Sequence, residues 1–128
     1  MKKEIVSSTP VMKQYMDIKS EYKKEIVLFR MGDFYETFLD DAKLVSDILG
    51  IVLTKRANGK AANVPLAGFP FHALDNYLPK IVESGYCVAI CEQTEDPKLA
   101  KGIVKREVVE VVTPGTLVSD SYTKEKSN

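Results

Sequence analysis

The chain has 128 residues, 45% hydrophobic and 28% charged, which is enough for one domain with a real core and too few for two ordinary ones. Eighteen basic residues balance eighteen acidic ones. A free-standing, sequence-independent nucleic-acid binder would be basic, so any such contact here must come from a small patch or from a larger protein around it. No apolar run reaches the length of a membrane span, and Met1-Lys2-Lys3-Glu4 has no apolar signal core behind it.

Residues 1–8 read as a flexible lead-in. Thr9-Pro10 is a helix start, with Thr as N-cap and Pro at the first helical position. Val11, Tyr15, Ile18 and Tyr22, with Met12 and Met16 beside them, form one apolar stripe on a helix ending near Lys24. Ile26 to Arg30 reads as a buried strand. Gly32-Asp33 is a turn signal, and Phe34 to Phe38 follows as a short aromatic segment that can pair with the strand as a hairpin. Asp40 to Leu49 reads as a helix with acids in its first turn and Gly50 as its C-cap.

Ile51 to Arg56 reads as a third strand ending in the basic pair Lys55-Arg56, and 57–63 as a polar loop. Val64 to His72 is apolar but broken by Pro65, Gly68 and Pro70; it suits an edge strand or a rigid aromatic loop better than a central strand. Ala73 to Ser84 reads as a helix that Pro79 kinks or forces to start late, closed by Gly85. Tyr86 to Gln93 and Ile103 to Val112 read as the last two strands, joined by a polar connection. The order predicts a single α/β (α+β-like) domain, a mixed sheet flanked by about three helices, with no internal repeats. Residues 118–128 are polar and read as a tail or linker.

Several chemistries have no footing. No phosphate-binding Gly-x-x-x-x-Gly-Lys-[Ser/Thr] loop, Gly-x-Gly-x-x-Gly or Gly-x-Ser-x-Gly occurs. Cys87 and Cys91 share one strand, about 13 Å apart, too far for a disulfide. They read as buried thiols of a reducing compartment. With His72 the one histidine, a Cys/His zinc site is not expected. A small metal-dependent nuclease is the enzyme alternative: Asp33 and Glu36 lie close, but no Glu-x-Lys follows on a plausible neighbouring strand.

The aromatic segment poses its own question. On a strand, Phe34, Glu36 and Phe38 share one face and Tyr35 and Thr37 the other. Either Phe34 and Phe38 are core and Glu36 sits at a solvated edge, or Phe34 is a presented aromatic with Glu36 a polar reader beside it.

Met31-Gly32-Asp33-Phe34-Tyr35-Glu36 resembles the Phe-x-Glu motif of the MutS family of mismatch repair proteins. The likeness extends to Thr9-Pro10-Val11-Met12-Lys13-Gln14-Tyr15, Leu53-Thr54-Lys55-Arg56, Pro65 to Ala73, Val88-Ala89-Ile90-Cys91-Glu92-Gln93 and Val111-Val112-Thr113-Pro114-Gly115-Thr116, in family order. The resemblance implies an N-terminal mismatch-recognition domain over 9–117, a link to a connector domain from 118, and mispaired duplex DNA as partner. It implies Phe34 as a wedge entering the minor groove and Glu36 as the residue hydrogen-bonding the base. It also places Met31, Lys55, Arg56, Gly68, Phe69, Pro70 and His72 near the DNA backbone or groove. It further implies no cofactor in this fragment and no catalysis by it. ATP and Mg²⁺ belong to a missing ATPase domain, a homodimer forms through missing C-terminal domains, a MutL-like partner joins, and the location is cytoplasmic and nucleoid-associated.

Overall fold

The computed structural model describes residues 9–58 and 61–116; the expected lead-in at 1–8 and linker at 118–128 lie outside them. A six-stranded mixed sheet forms from β1 (Ile26–Met31), β2 (Phe34–Phe38), β3 (Thr54–Asn58), β4 (Ala61–Pro70), β5 (Val88–Gln93) and β6 (Arg106–Val112), in the order β3-β4-β2-β1-β5-β6. β1 and β5 are parallel and every other neighbouring pair is antiparallel. The α/β mixed sheet is therefore as expected.

Three helices of ten residues or more flank the described sheet: α1 (Pro10–Glu21), α2 (Leu39–Leu49) and α3 (Leu74–Glu83). Alternation along the strands splits the core in two. On one face Ile26, Leu28, Tyr35, Phe69, Val88 and Ile90 pack against Val45 of α2 and Ile81 and Val82 of α3. On the other, Val27, Phe29, Phe38, Ala89 and Cys91 pack against Met12 and Tyr15 of α1. The Tyr15 ring meets Phe29 and Phe38 edge-on, at centroid separations of 5.6 and 4.9 Å.

The helix ends follow their sequence signals. Thr9 Oγ1 accepts from the Met12 N–H at 3.2 Å, with Pro10 at the first position. α1 stops at Glu21, short of Lys24, where the Tyr22 N–H turns back to the Lys19 carbonyl. Gly50 closes α2 with φ of 71° and its N–H on the Ser46 carbonyl.

Further expectations change, among them the strand starts: β5 begins at Val88, not Tyr86, and β6 at Arg106, not Ile103. Val64–His72 is no edge segment: β4 runs from Ala61 to Pro70 between β2 and β3. Its prolines are tolerated because Pro70 is the last residue registered against β2 and Pro65 lies one past the other end, Leu66 being opposite Phe38. The polar loop expected at 57–63 shrinks accordingly, with strand pairing reaching Asn58 opposite Ala61. β3 starts at Thr54, not Ile51, because 51–53 cross from the end of α2 to the sheet edge, leaving Val52 and Leu53 exposed. Pro79 lies inside α3, which starts at Leu74 after a 3₁₀ turn over Phe71–Ala73 and is not delayed to beyond the proline.

Asp41 does more than favour the helix dipole. It is buried, pairs with Lys19 Nζ at 2.9 Å, and accepts from the Val27 N–H at 3.0 Å and the Tyr15 hydroxyl at 3.3 Å. One carboxylate thus ties α1, β1 and α2 together, and the buried charge is compensated.

Candidate nucleic-acid interface

β1 and β2 form a hairpin joined by Gly32 and Asp33, with Met31 opposite Phe34. Gly32 has φ of 60° and Asp33 has no positive φ, the signature of a type II′ turn with glycine at its first central position. Both turn carbonyls are engaged. Arg30 Nε donates to the Gly32 carbonyl at 2.6 Å, and the Phe71 N–H donates to the Asp33 carbonyl at 2.7 Å.

The side chains that follow separate cleanly. Phe34 is 44% exposed, whereas Phe38, four residues further on the same face, is fully buried. Of the two readings of the aromatic segment, the presented Phe34 is the one the fold adopts. Tyr35 and Thr37 are buried on the opposite face. Glu36 lies between, half-buried, registered against Phe29 on one side and Gly68 on the other. Its Oε1 is shielded from solvent. Gly68 makes the room: a Cβ there would stand 2.8 Å from the Tyr35 carbonyl oxygen and 3.0 Å from Glu36 Cγ.

Met31 is half-buried against the α1-side core, and Pro70 lies opposite Phe34. His72 is exposed in the 3₁₀ turn, its ring 5.9 Å from the exposed Phe71 ring. Phe34, Met31, Pro70 and His72 therefore gather at the hairpin end of the sheet. Phe69 does not join them. It is 2% exposed and packs between Tyr35 and Tyr77, because alternation along β4 turns it to the opposite face from Gly68. Lys55 is exposed on edge strand β3 opposite Pro65, five residues along β4 from Pro70, roughly 17 Å at the strand rise. Arg56, registered against Val64, is farther still, and its side chain lies outside the described residues.

Sequence reasoning missed the polar network behind the hairpin. Arg30 Nη1 pairs with Glu92 Oε1 at 3.1 Å, and its guanidinium stacks on Phe71 at 4.1 Å from the ring centroid. The Tyr35 hydroxyl donates to Glu92 Oε2. Burial, then this bond to Glu92, pushes the Tyr35 phenol up to about 12, so it stays protonated and donating at neutral pH. On the other face Arg106 donates from Nε to the Arg30 carbonyl at 2.6 Å and from Nη1 to Gln14 Oε1 at 2.7 Å, and lies 4.7 Å over Phe29. Burial lowers its pKa from the usual value, with Glu36 among the charges pulling the other way. A signal for the Arg30–Glu92 pair was present: Ile26-Val27-Leu28-Phe29 and Val88-Ala89-Ile90-Cys91 are apolar runs of equal length closed by opposite charges, and they lie in parallel register.

Among the described residues, no group of three or more His, Cys, Asp or Glu could hold a metal ion, and no helix is long and apolar enough to cross a membrane. Cys87 and Cys91 are free thiols, the first half-buried and the second buried.

The fold and the site together define a mixed α/β domain with an exposed aromatic ring on a braced hairpin. The MutS domain I family profile matches residues 9–121, and the chain belongs to that family. It is 62% identical over 120 residues to a protein of Fervidobacterium nodosum named DNA mismatch repair protein MutS. It is 61% identical to the protein of the same name from Thermosipho melanesiensis and 57% identical to that of Chlorobaculum parvum. Each match covers 94% of this chain and 14% of the relative, so the chain spans about one seventh of the length of these relatives.

Proposed function

We propose that this chain recognises mispaired or unpaired bases in duplex DNA as the N-terminal part, over 9–117, of a longer ATP-dependent mismatch repair protein. The observation that carries the reading is the exposed Phe34 on its hairpin, in a chain that belongs to the MutS domain I family. An apolar wedge at a base step costs a few kcal/mol of stacking and is repaid by the bend it permits. A mismatch has already lost part of its pairing, so the same wedge costs less there, and discrimination follows without base-sequence readout. Met31, Pro70 and His72 flank the ring in the groove, Gly68 gives Glu36 its place, and Lys55 and Arg56 reach phosphates at the other end of the sheet. Phe69 supports from the core.

Glu36 carries the finer discrimination. Minor-groove edges present mostly acceptors, and an ionised carboxylate only accepts. It pairs with a donor exposed on a displaced base, such as an imino N–H, or it donates as a neutral acid once the base buries it. On intact duplex it repels. Glu36→Ala then narrows the gap between mismatch and match, partly by tightening matched binding; matched affinity unchanged at several salt concentrations counts against this role.

In the full-length protein the missing segments supply the connector, the ATPase with its ATP and Mg²⁺, the dimer contacts and the surface for a MutL-like partner, in the cytoplasm beside the nucleoid. This chain contributes recognition and no catalytic group. Fluorescence anisotropy of the full-length protein on a G·T duplex and its matched control tests the reading. Phe34→Ala is expected to lower the mismatch preference at least tenfold, about 1.4 kcal/mol, while weak general binding survives. A correctly folded variant that keeps its preference refutes the wedge.

A further inference from the structure

We infer that Arg30 and Glu92 are positioning residues for Phe34, holding the Gly32-Asp33 turn in the geometry that keeps the ring out. The inference rests on the wedge reading and adds the device that makes the wedge stiff.

Register places the pair. β1 and β5 run parallel with Phe29 opposite Cys91, so Arg30 and Glu92 emerge together at the hairpin end. Arg30 is registered against Tyr35 and Met31 against Phe34, so the Arg30 side chain points to the opposite face from the Phe34 ring. It acts on the ring through the backbone. From that face it donates to the Gly32 carbonyl, pairs with Glu92 and stacks on Phe71. Phe71 holds the other turn carbonyl, that of Asp33, through its N–H. Glu92 is oriented in turn by the Tyr35 hydroxyl. The two-residue turn is thus clamped at both carbonyls by two groups stacked on each other, one of them anchored to β5.

A ring that must separate stacked bases transmits the load to its turn. A two-residue turn with a glycine yields readily unless its supporting groups are themselves locked. The Arg30 and Glu92 side chains are 20% and 27% exposed, so water competes only partly for the pair.

The test uses the full-length protein carrying this chain, with Arg30→Met, Glu92→Gln, Phe34→Ala and the Arg30→Met/Phe34→Ala double variant. Binding is read by anisotropy on G·T and matched duplexes. Unstacking is read at saturation by the emission of a 2-aminopurine next to the mismatch. Arg30→Met is expected to cut the mismatch preference about tenfold and Glu92→Gln about threefold, with matched affinity within twofold of wild type and reduced 2-aminopurine emission. The double variant is expected to lose no more preference than Phe34→Ala alone. Asp41→Asn, which loosens the core away from the turn, is expected to lower stability and leave the preference intact.

If Phe34→Ala abolishes the preference and Arg30→Met keeps it, the positioning role falls and the wedge stands. If Phe34→Ala itself keeps the preference, the wedge reading falls first. Equal weakening on both duplexes with a shallower salt dependence makes Arg30 a phosphate contact and overturns the inference. So does a loss of preference in Asp41→Asn matching that of Arg30→Met. Should Arg30→Met not fold, Glu92→Gln decides: wild-type preference there refutes the pair.

Discussion

Replacing Gly68 by alanine asks how tightly β2 and β4 are fitted around Glu36. Gly68 is not in the left-handed region, so the glycine is there for space and not for backbone freedom. The added Cβ would lie 2.8 Å from the Tyr35 carbonyl oxygen, 3.0 Å from Glu36 Cγ and 3.4 Å from Glu36 Cα. Glu36 Cγ can rotate aside; the Tyr35 backbone is fixed by pairing with Arg30 on one side and Phe69 on the other. Overpacking of this kind costs about 1–3 kcal/mol. A Gly→Ala change returns about 0.4–1 kcal/mol by restricting the unfolded chain. The net is a loss of about 1–2 kcal/mol, or a Tm lower by about 4–8 °C in a domain of this size. Urea unfolding of the chain should show a lower midpoint with an unchanged m-value, since the surface exposed on unfolding is the same. Because the clash pushes Glu36 off its place, mismatch preference should fall as well. A Gly68→Ala chain as stable as wild type, within about 2 °C by the same scaling, would show that the strands are not in close contact here and refute the reasoning.

Asp41→Asn keeps the shape and removes the charge facing Lys19, in a site that also accepts from Val27 and Tyr15. With Lys19 partly open to water, the loss should be about 2–3 kcal/mol by urea unfolding, and an unchanged midpoint would refute the buried role. Native-state thiol titration at pH 8 should find Cys87 reactive and Cys91 protected until unfolding, since Cys91 is fully buried. Burial pushes the Cys91 thiol up to about 12 and the Tyr35 phenol likewise to about 12. A pKa raised in the folded state contributes stability that is complete below the unfolded value and is lost as pH rises through the folded one. The urea midpoint should therefore decline between about pH 9 and 12, and Cys91→Val should make the decline shallower; identical slopes would assign the decline to other groups.

Much of this molecule is legible in its sequence where local chemistry decides the outcome. Thr9-Pro10 starts a helix, Gly50 ends one and Gly32-Asp33 turns a hairpin, each through a cap or a φ that the residue itself favours. The alternation from Phe34 to Phe38 is correct as a pattern, yet the pattern is equally compatible with a buried and a presented Phe34. Exposure depends on Phe34 being the first residue after the turn, at the hairpin end of the sheet. The central place of β4 is hidden because proline rules assume one partner along a whole strand, and β4 changes partners at Leu66. Leu39, with φ of 59° at the junction of β2 and α2, gives no sign at all: leucine seldom adopts that conformation, and tertiary packing imposes it. The resemblance places Lys55-Arg56 and Gly68-to-His72 near DNA without saying how far apart they lie; strand register sets them at different ends of β4.

On the proposed function, the same register explains how a domain with no net charge offers a specific contact. The ring needs no attraction to be presented; it needs a support that does not yield. Arg30 on one face and Arg106 on the other both bond to main-chain carbonyls of the β1 end, at Gly32 and at Arg30 itself. Each is held in turn by a neighbour, Glu92 or Gln14. Two of the basic residues that a charge count would offer to phosphate are thus turned inward to hold the hairpin. Their charge contributes to stiffness more than to attraction. On the proposed function, general affinity for DNA then comes from basic surface elsewhere, on β3 or outside this chain. Neutralising Arg30 should then change what the domain distinguishes, whereas neutralising Lys55 should change how strongly it holds any duplex, lowering the salt slope by about one unit without altering the mismatch-to-match ratio. The opposite assignment of those two effects would mean that the hairpin network faces the DNA and that the bracing role does not exist.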